Sequence, residues 1–343
     1  MNFRLQENML LGAAAPLEED GVLEQMEKLG LRCCRAELDW RRIEPADGAF
    51  DERALAACRA SLQALLERGI RPLLVLQRFS LPVWLEERGG FAYGGSVTCY
   101  LRYVHRVLEA LGDLVGDYIT FDEPNCLALG LPGGEGKRSL LAAARSMTNL
   151  AAAHIEAYGL IRKTRLHAGR TDTRVGVSPQ LRDFVPKNPQ DPVHRFWASR
   201  SRQIFQASLT RAMCLGRMSF PIGGHPSIVP GRYCDFHAPS CGGRCLLSGP
   251  ALPAEREPDP AGAAQVCRAL CDLLPRPLLP TVPAGRPGEV LRLLQALQEE
   301  DLPVESVCLR PLPGEEDAPF YRALTAQGGI SEALLSQYCE EDG

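Results

Sequence analysis

Two kinds of side chain in this sequence could do chemistry: carboxyls and thiols. Asp122-Glu123-Pro124 sets two carboxyls side by side, directly after the apolar run Tyr118–Phe121. Two such groups facing one side would raise each other's pKa, but successive residues of a strand point to opposite faces, so little coupling is expected. Taken alone, Asp-Glu-Pro is no more than a solvated glutamate ahead of a proline. The 13 cysteines lack metal-ligand spacing: Cys33-Cys34 is adjacent, Cys241 and Cys245 stand apart from the rest, and there are no paired C-x₂-C units. They read as free thiols of a reducing, cytoplasmic compartment, with no metal and no cofactor implied.

The elements that must position these groups alternate between strand and helix patterns. Met9–Ala15 and Leu31–Leu38 read as strands around the helical stretch Gly21–Leu29. Asp51 is placed to cap a long amphipathic helix over Glu52–Arg68 that stops at Gly69. Arg71–Gln77 is almost continuously apolar, the pattern of a strand covered on both faces. Helix is expected over Ser96–Leu111, strand over Tyr118–Phe121, helix over Lys137–Thr164, strand over Val175–Ser178 and helix over Val193–Leu215.

The second half is less regular. Tyr233–His237 and Val304–Leu309 read as strands; Ala261–Leu274, Gly288–Glu299 and Ala318–Tyr338 read as helices. Arg276–Leu279 begins a strand but runs into prolines, and Gly242–Gly262 reads as a surface loop. Alternation of this kind implies a parallel sheet, and about eight strand–helix units imply a closed α/β barrel.

Length and composition fit one such domain over 1–343. The chain has 343 residues, of which 45% are hydrophobic and 23% charged, with a net charge of -4. Nothing basic suggests nucleic acid, and no lysine/arginine cluster suggests an anionic membrane. The apolar stretch Met9–Ala15 lacks a positive flank, and no stretch approaches the ~18 apolar residues of a membrane span.

Several segments together resemble the family 1 glycoside hydrolases, the family of β-glucosidases and 6-phospho-β-glucosidases. Arg35-Ala36-Glu37-Leu38-Asp39-Trp40-Arg41-Arg42-Ile43-Glu44-Pro45, followed by Gly48-Ala49-Phe50, is similar to the family's strand-2 segment. Gly69-Ile70-Arg71-Pro72 and Leu76–Leu85, with Gly89-Gly90-Phe91, resemble its strand-3 segment. Thr120–Asn125 resembles the T-F-N-E-P-N that ends strand 4, and Asn149-Leu150, Ala153-His154 and Ala157-Tyr158 fit the helix after it. Arg202–Gly216, Gly231–Phe236 and Pro319–Arg322 fit more loosely.

The resemblance implies a (β/α)8 TIM barrel with shortened loops and a degenerate C-terminal half, and a β-linked sugar or glycoside as ligand. It also implies a retaining hydrolysis by two carboxyls ~5–5.5 Å apart at the ends of strands 4 and 7. Glu123 takes the place of the acid/base. The strand-7 nucleophile is not matched: aligned on Arg276-Pro277 and Thr281, its position holds Val282, which can neither attack carbon nor carry charge. By analogy with a protease stripped of its nucleophile, the loss is worth roughly 10⁶-fold, ~8 kcal/mol.

Sugar-binding positions depart as well. The strand-1 glutamine falls near Glu19, the sugar-binding histidine is Arg78, and the asparagine ahead of the acid/base is Asp122. The strand-6 tyrosine is replaced near Ser240 and Cys241, and Arg310 leads into Pro311 in place of the strand-8 loop. Arg35, which pairs with the nucleophile in the family, is kept and is expected to find another carboxylate, Glu37 or Glu123, because a buried unpaired guanidinium is costly. The expected protein is thus an inactive or impaired glycosidase. Two alternatives stay open: an active β-glycosidase using Glu19, Glu37 or Asp122 with a water, or a barrel that only binds sugar or protein.

Overall fold

A computed structural model describes residues 5, 9–17, 21–131, 139–250 and 257–326. The barrel wall is built from β1 (Leu10–Pro16), β2 (Cys33–Glu37), β3 (Arg71–Val75), β4 (Asp117–Asp122), β5 (Arg174–Ser178), β6 (Gln180–Pro186), β7 (Phe236–His237), β8 (Ser240–Leu247), β9 (Thr281–Pro283) and β10 (Ser306–Arg310). These ten strands form one sheet in the order β6-β8-β9-β10-β1-β2-β3-β4-β5-β7. All pairings between strands are parallel.

Bridges from His237 to Leu278 and from Leu278 to Val304 close the ring beside β7. Two staves are broken: β5 continues past Pro179 into β6, and β7 continues past Ala238-Pro239 into β8. The result is the (β/α)8 barrel, with β6 and β8 running on past the rim as a paired ribbon. That ribbon corrects the expected loop at Gly242–Gly262, whose first residues are strand and whose last three begin a helix. The cue to a loop was the proline and glycine content of the stretch, yet β6 supplies the partner that lets its first residues extend.

The helices are α1 (Val22–Lys28), α2 (Trp40–Ile43), α3 (Glu52–Glu67), α4 (Val83–Glu86), α5 (Ser96–Leu111), α6 (Pro124–Leu129), α7 (Leu140–His167), α8 (Pro192–Arg202), α9 (Ser208–Leu215), α10 (Pro260–Leu273), α11 (Pro287–Glu299) and α12 (Ala318–Thr325). Asp51 caps α3 as expected, its carboxylate accepting from the amides of Arg53 and Ala54. The helix expected over Val193–Leu215 is α8 and α9 joined through a π turn at Gln203–Ala207. No helix among the described residues is long and apolar enough to cross a membrane.

Two layers of core follow from strand alternation. Leu73, Val75, Ile119, Phe236, Ala238 and Leu279 point inward and fill the lumen. Their neighbours, such as Leu74, Tyr118 and Val282, point outward into the shell shared with the helices. Gly176 on β5 is required here, because a Cβ at that position would lie 2.2 Å from the Phe236 ring. Around β2–β4 the shell is aromatic: Trp40 stacks on Tyr103 at 4.8 Å, and Tyr100 on Phe121 at 4.4 Å.

Candidate active site

The C-terminal ends of the strands converge on a cluster of three arginines and three carboxylates. Arg35, inward-facing and fully buried on β2, is its centre. Its Nη2 donates to Asp122 Oδ1 at 2.6 Å and to the Ser178 hydroxyl. Its Nη1 donates to the Thr281 hydroxyl, and both nitrogens reach the carbonyl oxygen of Ala238 at 3.1 Å. The expected partners Glu37 and Glu123 are therefore not the ones Arg35 takes. The irregularity in β4 between Ile119 and Asp122 explains why: it breaks the alternation that would have turned Asp122 away.

Asp122 is engaged on both oxygens. Besides Arg35, it accepts from Ser178 Oγ at 2.6 Å and from Arg310 Nη2 at 2.8 Å, and it pairs with Arg78 Nε at 3.3 Å. Burial opposes its charge, but Arg35, Arg310 and Arg78 prevail and hold the carboxyl well below the usual carboxylate range. Glu37, at the end of β2, is gripped by Arg310 and lies 3.5 Å from Arg78 Nη1.

Glu123 follows Asp122 in the left-handed region, φ 53° and ψ 48°, as the residue that begins α6. A non-glycine residue there carries strain, and the surroundings fix it in place. Its amide donates to Ser178 O at 2.8 Å, Pro124 starts the helix, and Asn125 clamps the next segment by exchanging hydrogen bonds with the Gln180 backbone at 2.8 and 3.0 Å. Gln180 then donates through Nε2 to Glu123 Oε2 at 3.3 Å, and Arg182 Nε holds the Gln180 amide oxygen at 2.8 Å. The twist at Glu123 brings both neighbouring carboxyls to the same mouth. Burial pushes the Glu123 pKa up, the Asp122 charge adds to the rise, and Arg78 and Arg310 oppose it. The weak coupling expected from strict strand alternation is therefore corrected.

On β9 the side chain facing this cluster is Thr281, not Val282. Val282 is buried in the outer shell, and Thr281 meets Arg35. The residue aligned with the nucleophile, Val282, thus faces away from the cluster, and in a strand one residue is the whole difference between the two faces. Neither residue carries charge. Arg78 lies at the rim, with its guanidinium 4.7 Å from the Phe79 ring centre. Glu19 lies outside the described residues.

Arg310, Thr281, Ser178 and Gln180 were not picked out from the sequence as site residues. Alternation on β10 does reveal Arg310 once the strand is known to run Ser306–Arg310, because Cys308 faces inward against Cys33. Arg310 lies between Glu37, Asp122 and Glu123, 3.7 Å from Glu123 Oε1. A divalent cation finds no open carboxylate pair here, because each acid already faces an arginine.

The model of the family described as "Glycosyl hydrolase family 1" matches residues 17–222. The chain is 32% identical over 147 residues to Beta-glucosidase A of Thermotoga maritima, a stretch covering 41% of this chain and 33% of that protein. It is 27% identical over 177 residues to Beta-glucosidase A of Acetivibrio thermocellus, covering 49% of this chain and 37% of that one. The matched stretches thus span about a third of those relatives. In structure it resembles the beta-glycosidase from Pyrococcus horikoshii with a TM-score of 0.80, 19% identity and 98% of each chain covered. The family 1 β-glucosidase from Thermotoga maritima gives a TM-score of 0.77 at 18% identity, covering 90% of this chain and 89% of that one. With more than half of its length matched by that one family, and a barrel that superposes on the family's solved members, this chain belongs to glycosyl hydrolase family 1.

Proposed function

We propose that the chain is a single-domain, β-glucosidase-type barrel that keeps an acid glutamate, Glu123, but has given up retaining hydrolysis. The observation that carries this reading is the end of Arg35: the guanidinium meets the hydroxyl of Thr281 and the carboxylate of Asp122, with no carboxylate on β9. Retaining hydrolysis needs a second carboxyl ~5–5.5 Å from the acid, free to attack the anomeric carbon. Asp122 is fully buried and both its oxygens are engaged by Arg35, Ser178 and Arg310, which does not suit a free nucleophile. Arg78 and Arg310 lie across the mouth beside Glu37, where a β-linked sugar would have to rest.

Glu123 itself suits an acid. A buried carboxyl with a raised pKa holds its proton nearer to neutrality, the condition for protonating a leaving oxygen. The test is release of the aglycone from activated aryl β-glycosides, with and without a 6-phosphate, comparing the protein with Glu123→Gln. Release no greater than that of the variant is expected; release that the variant abolishes would overturn the reading.

A second reading rests on Glu37 and Glu123 facing the same guanidinium of Arg310. If Arg310 swings out, Glu37 could activate a water in an inverting hydrolysis. The anomer of the first-formed sugar, read by NMR, distinguishes this from a retaining reaction.

A further inference from the structure

Away from the mouth, three metal-ligating side chains from two elements and the segment between them converge in the shell outside the barrel. Cys214 lies near the end of α9, Cys234 just ahead of β7, and His237 on β7. All three are buried, and their ligand atoms lie within 4.8 Å of one another. Phe236 and Ala238 point into the lumen, so His237 between them faces outward, toward the helix layer. Cys234 precedes its strand, which puts the cluster at the end of the barrel opposite Glu123.

We propose that Cys214, Cys234 and His237 form a structural site for a thiolate-preferring divalent cation of the zinc type. The imidazole is already set for it. His237 Nε2 lies 2.7 Å from the carbonyl oxygen of Leu274 and must donate to it, which leaves the lone pair of Nδ1 directed at the cysteines. A metal-bound histidine is oriented in this way by its second nitrogen.

The spacing agrees. With metal–sulfur and metal–nitrogen bonds of about 2.3 and 2.0–2.1 Å at a tetrahedral angle, the two donor atoms stand about 3.6 Å apart. Cys234 Sγ and His237 Nδ1 are 3.6 Å apart. The carbonyl oxygen of Phe236, 3.0 Å from Cys234 Sγ, is at hand for a fourth position. Two thiols lose their protons as the cation enters, so two thiolates, a neutral imidazole and a doubly charged ion sum to zero, which suits a site without solvent.

The site also has a task. The connection from Leu215 to Phe236 contains no helix or strand, and its two ends meet where the Tyr233 amide donates to Cys214 O at 2.9 Å. A cation held by Cys214 and Cys234 would staple those ends to each other, and through His237 to the barrel wall. The sequence hides this site, because its ligands lack the paired spacing of zinc motifs and come together only in the fold.

The test is titration of the reduced, chelator-treated protein with Co²⁺. One ion per chain is expected, with a sulfur-to-cobalt charge-transfer band and the intense visible bands of four-coordination, both erased by stoichiometric Zn²⁺. The band should disappear in Cys214→Ser and Cys234→Ser and persist in Cys33→Ser and Cys267→Ser. Lack of a charge-transfer band in the parent protein, or a band that survives both site variants, overturns the proposal. If the site variants do not fold, X-ray absorption of the Zn²⁺-loaded parent decides. Two sulfurs at about 2.3 Å with one imidazole nitrogen are expected, and a shell without sulfur refutes the site.

Discussion

The two ends of the barrel are both closed by ionic clusters, and the clusters differ in kind. At the N-terminal end, Asp117 on β4 binds Arg71 and Arg174, and Arg174 reaches Glu305 at 2.9 Å. Asp117 itself is 7% exposed, but Arg71, Arg174 and Glu305 around it are 46%, 26% and 37% exposed, so water shares the charges of its partners. At the mouth, Arg35 and Asp122 are both fully buried. Charges that remain wet cost little and contribute little. Charges taken out of water are tolerated only when every partner is in place, and removing one leaves the others stranded. The N-terminal end is a ring of partly wet charges around one buried acid, whereas the mouth is a fixed polar core in which each residue depends on the rest.

This contrast can be broken experimentally, most strongly at its centre. Arg35→Met should cost about 3–5 kcal/mol in urea unfolding, because it strands Asp122 in a buried site. Arg310→Met should cost less, about 1.5–3 kcal/mol, since Arg78 still faces Glu37 and Asp122. It should also raise the pKa of Glu123 further by removing an opposing cation, which carboxyl-carbon NMR can follow.

Glu123→Gln should show an effect that depends on pH. The folded pKa of Glu123 is raised, so its favourable contribution is complete below the unfolded value of about 4.3 and is lost as pH rises through the folded value. The variant is therefore expected to be more stable than the parent at neutral pH and to converge with it in acid. Asp122 has the opposite sign: its depressed pKa gives stability that is present above about 3.9 and lost as pH falls toward the folded value. The smallest effect is expected at the N-terminal end. Arg174→Met should cost about 1–1.5 kcal/mol at low salt, since Arg71 still faces the buried Asp117, and part of the difference should fade in 1 M salt, whereas that of Arg35→Met should persist.

The sequence was most informative where periodic pattern and capping chemistry decide the structure. Asp51 and α3, the span of α5, and β2–β4 follow from caps, helical periodicity and short apolar runs, and so does the placing of Glu123 directly after β4. The partner of Arg35 was not legible, because the irregular step in β4 and the left-handed Glu123 rotate the two carboxyls in a way that no period encodes. Thr281 was missed in favour of Val282 because β9 is three residues long and lies between prolines, too short to show its own alternation. The β6–β8 ribbon was hidden because its apolar side chains are few: Phe184, Cys245 and Leu247 bury in a small cluster of their own with Ala198 and Phe205, too sparse to mark a strand in the sequence.

The arithmetic at the mouth has one more consequence. With Glu123 ionised, the three arginines and three carboxylates cancel; with Glu123 holding its proton, the cluster carries one positive charge. A floor of two unpaired carboxylates projects a negative potential that draws in protonated amines and stabilises positive charge developing on a sugar ring. The cluster around Arg310, on that count, is neutral to positive. A cationic visitor gains no attraction there, and what the mouth favours is a neutral or anionic one.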